Sequence, residues 1–137
     1  MKILAILAVL ALIAGSLAAT VPAHAASDDG VIRVPTDEKT IQGAVDASKP
    51  GTLILVSPGV YKEAVVVGPA HKNIVIRGLD RATTIVDGEL SAAKGHDNGF
   101  LVQADGVAIE NITARNFVTN GFYWTGVDGY RGSYLTA

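Results

Sequence analysis

The last ten residues of the sequence, "DGYRGSYLTA" at 128–137, align without a gap on "DGVAIENITA" at 105–114. Asp, Gly, Thr and Ala recur in place, with Leu135 replacing Ile112. "NGFLV" at 98–102 returns as "NGFYW" at 120–124, at almost the same spacing. Self-similarity at a fixed period within about 20–50 residues marks a solenoid, in which each repeat is one coil that buries its apolar face against its neighbours. Leucine-rich repeats share the period but need a Leu-dominated pattern, whereas the recurring apolar positions here are Val, Ile, Phe and Ala.

The segments between turns fit a coil built of short strands. "TLILV" (52–56), "EAVVV" (63–67), "NIVIR" (73–77), "TTIVD" (83–87), "GFLVQ" (99–103), "VAIENI" (107–112) and "GFYWT" (121–125) are β-branched or aromatic and separated by Gly, Pro, Asn or Asp. A parallel β-helix with two or three strands per coil is therefore expected. Val107, Ile109 and Ile112 point inward, with Tyr130 and Leu135 stacked above Val107 and Ile112. "IVIRGL" at 74–79 precedes "VAIENI" by one coil plus an inserted loop, at the polar stretch 87–99.

A helical signal stands before the coils. Thr40 can act as N-cap, Ile41, Ala44, Val45 and Ser48 share one face, and Pro50-Gly51 ends the segment. A solenoid needs a different unit to cover the open end of its core, and this helix is placed to do so. The tail, by contrast, opens a repeat, so the β-helix is expected to be incomplete at the C-terminus. An open end exposes unpaired strand edges and invites self-association.

Residues 1–25 read as a signal peptide, with Lys2, an apolar run and a small-x-small ending at Ala23-His24-Ala25. Cleavage after Ala25 leaves 26–137 as the cap and first coils, extracellular or periplasmic, with no membrane segment; an uncleaved anchor is the alternative. Loss of Lys2 takes the formal charge from −2 to −3. Lys and Arg are scattered singly, which speaks against nucleic acid. No cysteine is present, so packing rather than disulfides must stabilise the chain.

The stretch "TIQGAVDASKPGTLILVSPGVYKEAVVV" at 40–67 resembles the start of the pectin-lyase-like right-handed parallel β-helix proteins. The similarity is greatest to pectin methylesterases and to bacterial secreted β-helix repeat proteins. In that family a "T-I-Q-x-A-V-D-A" helix caps the stack and a "V-x-P-G-x-Y-x-E-x-V" segment forms the first coil. The second is matched here by Val56, Pro58, Gly59, Tyr61, Glu63 and Val65. The resemblance implies an all-β right-handed parallel β-helix with a short N-terminal capping helix. The catalytic motifs of the methylesterases, resembling G-x-Q-D-T and D-F-x-F-G, do not occur in this sequence, so no catalytic residue, metal or cofactor is assigned.

Tyr123, Trp124, Asp128, Tyr130, Arg131 and Tyr134 gather aromatic faces and charges near the end of the chain, a combination suited to sugar rings and their hydroxyls. Alternation turns Phe122, Trp124 and Tyr130 inward, which leaves Tyr123 and Arg131, with Asp128, as candidate polysaccharide contacts. His96 and Asp97, near Asp87 and Glu89, match no calcium or zinc spacing and read as a solvated loop. His71 is a turn residue, and Asn98 with Asn120 and Asp105 with Asp128 read as stacked turn positions. "NIT" at 111–113 fits a glycosylation acceptor but lies within an expected strand. Three functions stay open: an exported protein that binds or modifies extracellular polysaccharide, a noncatalytic structural or surface-interaction solenoid, and a periplasmic accessory in metal-site assembly.

Overall fold

The computed structural model describes residues 29–137, so the expected signal peptide at 1–25 lies outside the described residues. In chain order the elements are β1 (Val31–Val34), helix α1 (Ile41–Ala47), β2 (Leu53–Val56), β3 (Gly59–Tyr61), β4 (Val65–Val67), β5 (Val75–Gly78) and β6 (Thr84–Asp87). A single 3-10 turn (Ala92–Lys94) follows, then β7 (Asn98–Val102), β8 (Ala108–Glu110), β9 (Thr113–Arg115), β10 (Asn120–Trp124) and β11 (Arg131–Ser133). Sheet one stacks β1-β2-β5-β8-β11, sheet two β3-β6-β9 and sheet three β10-β7-β4. Every pairing is parallel, and the chain visits the three sheets in turn. This is the expected parallel β-helix, with one strand per sheet in each coil.

The register explains the residue choice. Ile32, Ile54, Ile76 and Ile109 are partners on successive strands of sheet one and are all buried. Their stiff branched side chains nest on one another, and each fully buried one contributes about 1.5–3 kcal/mol. On sheet three Val65, Phe100 and Phe122 stand in one column, the two rings stacked at 5.3 Å and 8°. The fifth level of the isoleucine column is Gly132, where an added Cβ would lie 3.0 Å from Trp124 Cη2 and 2.9 Å from Leu135 Cδ1. Trp124 and Leu135 thus fill the room an isoleucine would take.

Helix α1 covers the first coil with Ile41, Ala44 and Val45, the expected face. Thr40 Oγ1 accepts from the Gly43 amide at 3.0 Å, as an N-cap should. The Glu63 carboxylate accepts from the amides of Ile41 (3.0 Å) and Gln42 (2.9 Å). The Gln42 side chain in turn accepts from Val66 N at 2.7 Å and donates to Val66 O at 3.1 Å. Strand β4 is the edge of sheet three, and the Gln42 amide pairs with its backbone as a preceding strand would. The "T-I-Q" and "Y-x-E" residues of the family-like stretch are thereby tied to one another across the first coil.

Two local expectations change. The stretch between the expected strands 52–56 and 63–67 holds a further one, since Gly59–Tyr61 form β3, paired with β6. "VAIENI" is not one strand but bends at Asn111, which takes φ 59° and so divides β8 from β9. Asparagine tolerates this left-handed region, and its Nδ2 donates to Gly78 O in the coil below at 2.9 Å. The coils close so tightly at this corner that a Cβ on Gly78 would stand 2.2 Å from Asn111 O. The inserted loop at 88–97 lengthens one coil, so β5 and β8 pair across a longer stretch of chain (Val75 with Ala108) than β8 and β11 do (Ala108 with Arg131).

Gly78→Ala is expected to destabilise the chain by ~3 kcal/mol or more, since the obstacle is backbone that cannot step aside. Glu63→Ala, which leaves two helix amides without their charged acceptor, should cost about 2 kcal/mol. Urea unfolding followed by circular dichroism measures both, and a Gly78→Ala chain as stable as the parent would contradict the close packing of that corner.

Candidate polysaccharide-binding face

The outward positions of sheet one change character along the stack. One outward column runs Arg33, Leu55, Arg77, Glu110, Ser133 and the other Val31, Leu53, Val75, Ala108, Arg131. Arg33 at the capped end is tied to Asp29 and Asp37, and after the apolar Leu53 and Leu55 the face is charged again at Arg77, Glu110 and Arg131. Arg77 Nε donates to Glu110 Oε2 at 2.7 Å, and Arg131 Nη2 donates to Glu110 Oε1. The two guanidinium groups, Arg77 foremost, hold the Glu110 carboxyl below the usual range. Beside them lies an open depression of about 640 Å³ lined by Arg77, Glu110, Asn111, Arg131, Ser133 and Tyr134. Two guanidiniums face one carboxylate, so the depression carries a net positive charge and a hydroxyl-bearing rim. Such a surface can bond the hydroxyls and carboxylates of a polymer.

The pectinesterase family matches residues 23–122, most of the chain. The chain belongs to the pectinesterase family. A relative from Arabidopsis thaliana, by name a putative pectinesterase/pectinesterase inhibitor, is 37% identical over 90 residues, which cover 58% of this chain and 19% of the relative. The pectinesterase-family chain therefore spans about 19% of that relative's length. No solved structure matches it.

Of the three residues singled out in the sequence, the fold brings only Arg131 to the depression. Tyr123 is exposed on sheet three, where its register partner is Leu101. Asp128 lies in a corner before β11, its backbone amide donating to Asp105 Oδ1 at 3.2 Å. Phe122 and Trp124 pack against the core as alternation implied, but Tyr130, expected inward, is exposed and only stacks on Trp124 from outside. The residues missed are Arg77 and Glu110. A signal for them existed, since laying "IVIRGL" over "VAIENI" puts Arg77 against Glu110.

The other polar candidates are occupied in building the fold. At the end of β6 Asp87 accepts from Arg115 Nε (2.9 Å) and Asn116 Nδ2 (3.0 Å), while in the inserted loop Glu89 is bridged by Lys62 (2.8 Å) and Lys94 (2.9 Å). His96, expected in a solvated loop, is instead buried, with Nδ1 3.1 Å from Gly88 O. Among the described residues, no three His, Cys, Asp or Glu side chains gather as a metal site would require. Ser48 Oγ donates to Val45 O at 2.6 Å, so toward His71 Nδ1 at 3.2 Å it can only accept. That polarity is wrong for a serine activated by histidine. Asn120 Nδ2 donates to Asn98 Oδ1 at 2.9 Å, the stacked turn pair expected. The Asn111 side chain is engaged with Gly78 and not presented as a glycan acceptor would be.

Asp87 is lowered to about 2, first by the bond from Asn116, then by those from the Glu89 amide and Arg115. Glu89 is lowered to about 2 by Lys62 and Lys94. Both folded values lie below the ordinary ~3.9 and ~4.3 of free carboxyls, so these groups stabilise the fold above about pH 4. That contribution disappears as pH falls through about 2. The melting temperature is expected to drop across this window, and Asp87→Asn should flatten part of the drop while lowering the melting temperature at neutral pH. A thermal-unfolding profile of Asp87→Asn that parallels the parent at every pH would show that Asp87 carries none of it.

Proposed function

We propose that this chain binds an acidic cell-wall polysaccharide of the pectin type along the outer face of sheet one. The observation that carries the reading is the Arg77–Glu110–Arg131 row beside an open depression, on a β-helix of the pectinesterase family. Arg77 and Arg131 come from strands two coils apart and converge on the Glu110 carboxylate, so together they form a concentrated basic patch beside which an acidic polymer could lie. Sequence supplies no nucleophile motif of the methylesterase kind in this stretch, and the reading assigns binding to it, not bond cleavage. Among the described residues no helix is long and apolar enough to cross a membrane. The working location proposed is outside the cytoplasm, with the exported form beginning at Ala26; N-terminal sequencing of the secreted protein checks that start.

The chain is expected to be retained on immobilised de-esterified pectin at low salt and released as ionic strength rises, because exposed charge contacts are screened. Replacing Arg77 and Arg131 together by Ala should weaken retention by ~tenfold, the order expected for two charge-assisted contacts at an exposed site. Incubation with methyl-esterified pectin should release no methanol and no unsaturated uronides. Retention that survives the double replacement, or methanol above a boiled control, would overturn the assignment.

A further inference from the structure

The insert between β6 and β7 is held differently from the rest of the coil. Its two feet are fixed. At one, Gly88 N donates to Arg115 O at 2.9 Å and Leu90 N to Asn116 O at 2.7 Å. At the other, Thr119 N donates to Asp97 O at 2.9 Å, and the buried His96 ring closes the stem with Nδ1 3.1 Å from Gly88 O. Between the feet the backbone bonds only to itself: Ser91 N to Gly88 O, Lys94 N to Ser91 O, Gly95 N to Ala92 O and His96 N to Ser91 O, at 2.9–3.2 Å. Ala92, Ala93, Lys94 and Gly95 are exposed, and drawing them out breaks no bond to another strand. Exposed tips of small residues that open at little cost are where endopeptidases cut. This tip carries one basic residue, Lys94, whose side chain is restrained by an exposed pair with Glu89, a weak tie. The next residue, Gly95, has nothing within 4 Å of an added Cβ, so the far side of the Lys94–Gly95 bond is open to a bulky catalyst.

We infer that Lys94–Gly95 is a specific cleavage site for an endopeptidase that takes a basic residue before the cut, and that the product stays folded as a two-chain β-helix. Water adds across the peptide bond, leaving a carboxylate on Lys94 and an amine on Gly95. The other basic residues are worse placed. Arg33, Arg77, Arg115 and Arg131 lie inside strands, and Lys49 precedes Pro50, which lacks the amide N–H of an ordinary peptide bond. Lys39, Lys62 and Lys72 each precede a residue that ties elements together: Thr40 caps α1, Glu63 holds the α1 amides and Asn73 N donates to Asp105 O. Arg81 O accepts from Thr113 Oγ1 at 2.8 Å. The cut itself falls between β6 and β7, and one pairing from each sheet bridges it: β4 with β7, β5 with β8 and β6 with β9. Arg115 with Asp87 and Asn111 with Gly78 span it as well. The halves keep the ladder of the intact chain and lose only the covalent link, so unfolding becomes a dissociation that depends on concentration.

Brief digestion of the folded chain with trypsin, read by intact mass, gel filtration and thermal melting, tests this. Within residues 29–137 the first cut should fall at Lys94–Gly95, and the two fragments should elute together at the volume of the parent. The cut protein should melt below the parent, at a temperature that rises with protein concentration, while the parent's melting temperature does not change with concentration. Lys94→Gln should slow the first cut by at least ~tenfold, because the remaining basic residues are reached only by breaking bonds that hold the coils or the helix. Lys94→Arg should be cut like the parent. A first cut at any other bond within 29–137, a Lys94→Gln chain digested as fast as the parent, or fragments that separate on gel filtration would overturn the inference.

Discussion

Everything in this molecule depends on side chains having to stack on their counterparts one coil away. Parallel strands in register allow no stagger, so a residue meets its partner on the next strand rather than a gap between two. The isoleucine column of sheet one satisfies this by repetition. Where repetition stops, volume is exchanged between sheets: Gly132 gives up its side chain and Trp124, arriving from sheet three, occupies the space. The same tightness at the corner of Gly78 and Asn111 leaves no room even for a methyl group.

The rule extends to the solvent side, where it organises polar groups instead of apolar ones. Lys72 reaches Asp105 across one coil, Asn120 reaches Asn98, and Arg77 reaches Glu110. Exposed pairs of this kind are each worth little, ~0–1 kcal/mol, and they act mainly to give the face an ordered pattern of charge. The pattern does not close at Glu110. It has an arginine in the coil below and another in the coil above.

The fold was legible in the sequence because the echo between 105–114 and 128–137 can arise only if the same environment recurs, and the environment here is the coil. The capping helix was legible from Thr40 and its apolar face. The partners that secure it, Glu63 for the helix amides and Gln42 for the edge of β4, were visible only as motif letters, since nothing local says what they bond. Strand β3 escaped because Gly59, Val60 and Tyr61 are too few to show a period. The site was harder. Tyr123, Asp128 and Arg131 are close in sequence, but a coil of three sheets turns near neighbours toward different sides. Arg77 and Glu110 are distant in sequence and touch, because the insertion at 88–97 shifts the count without shifting the register.

The register also sets the cost of adding length. Ladder partners are separated by about one coil of chain wherever in the stack they occur, from the short span between Val31 and Leu53 to the longer one between Val65 and Phe100. Loop-closure entropy grows only with the logarithm of such separations, so each new coil meets nearly the same barrier as the one before it. Ordering can therefore advance coil by coil at a constant rate per turn of chain, with the capped end as the template, and the time to assemble such a molecule grows in simple proportion to its number of coils.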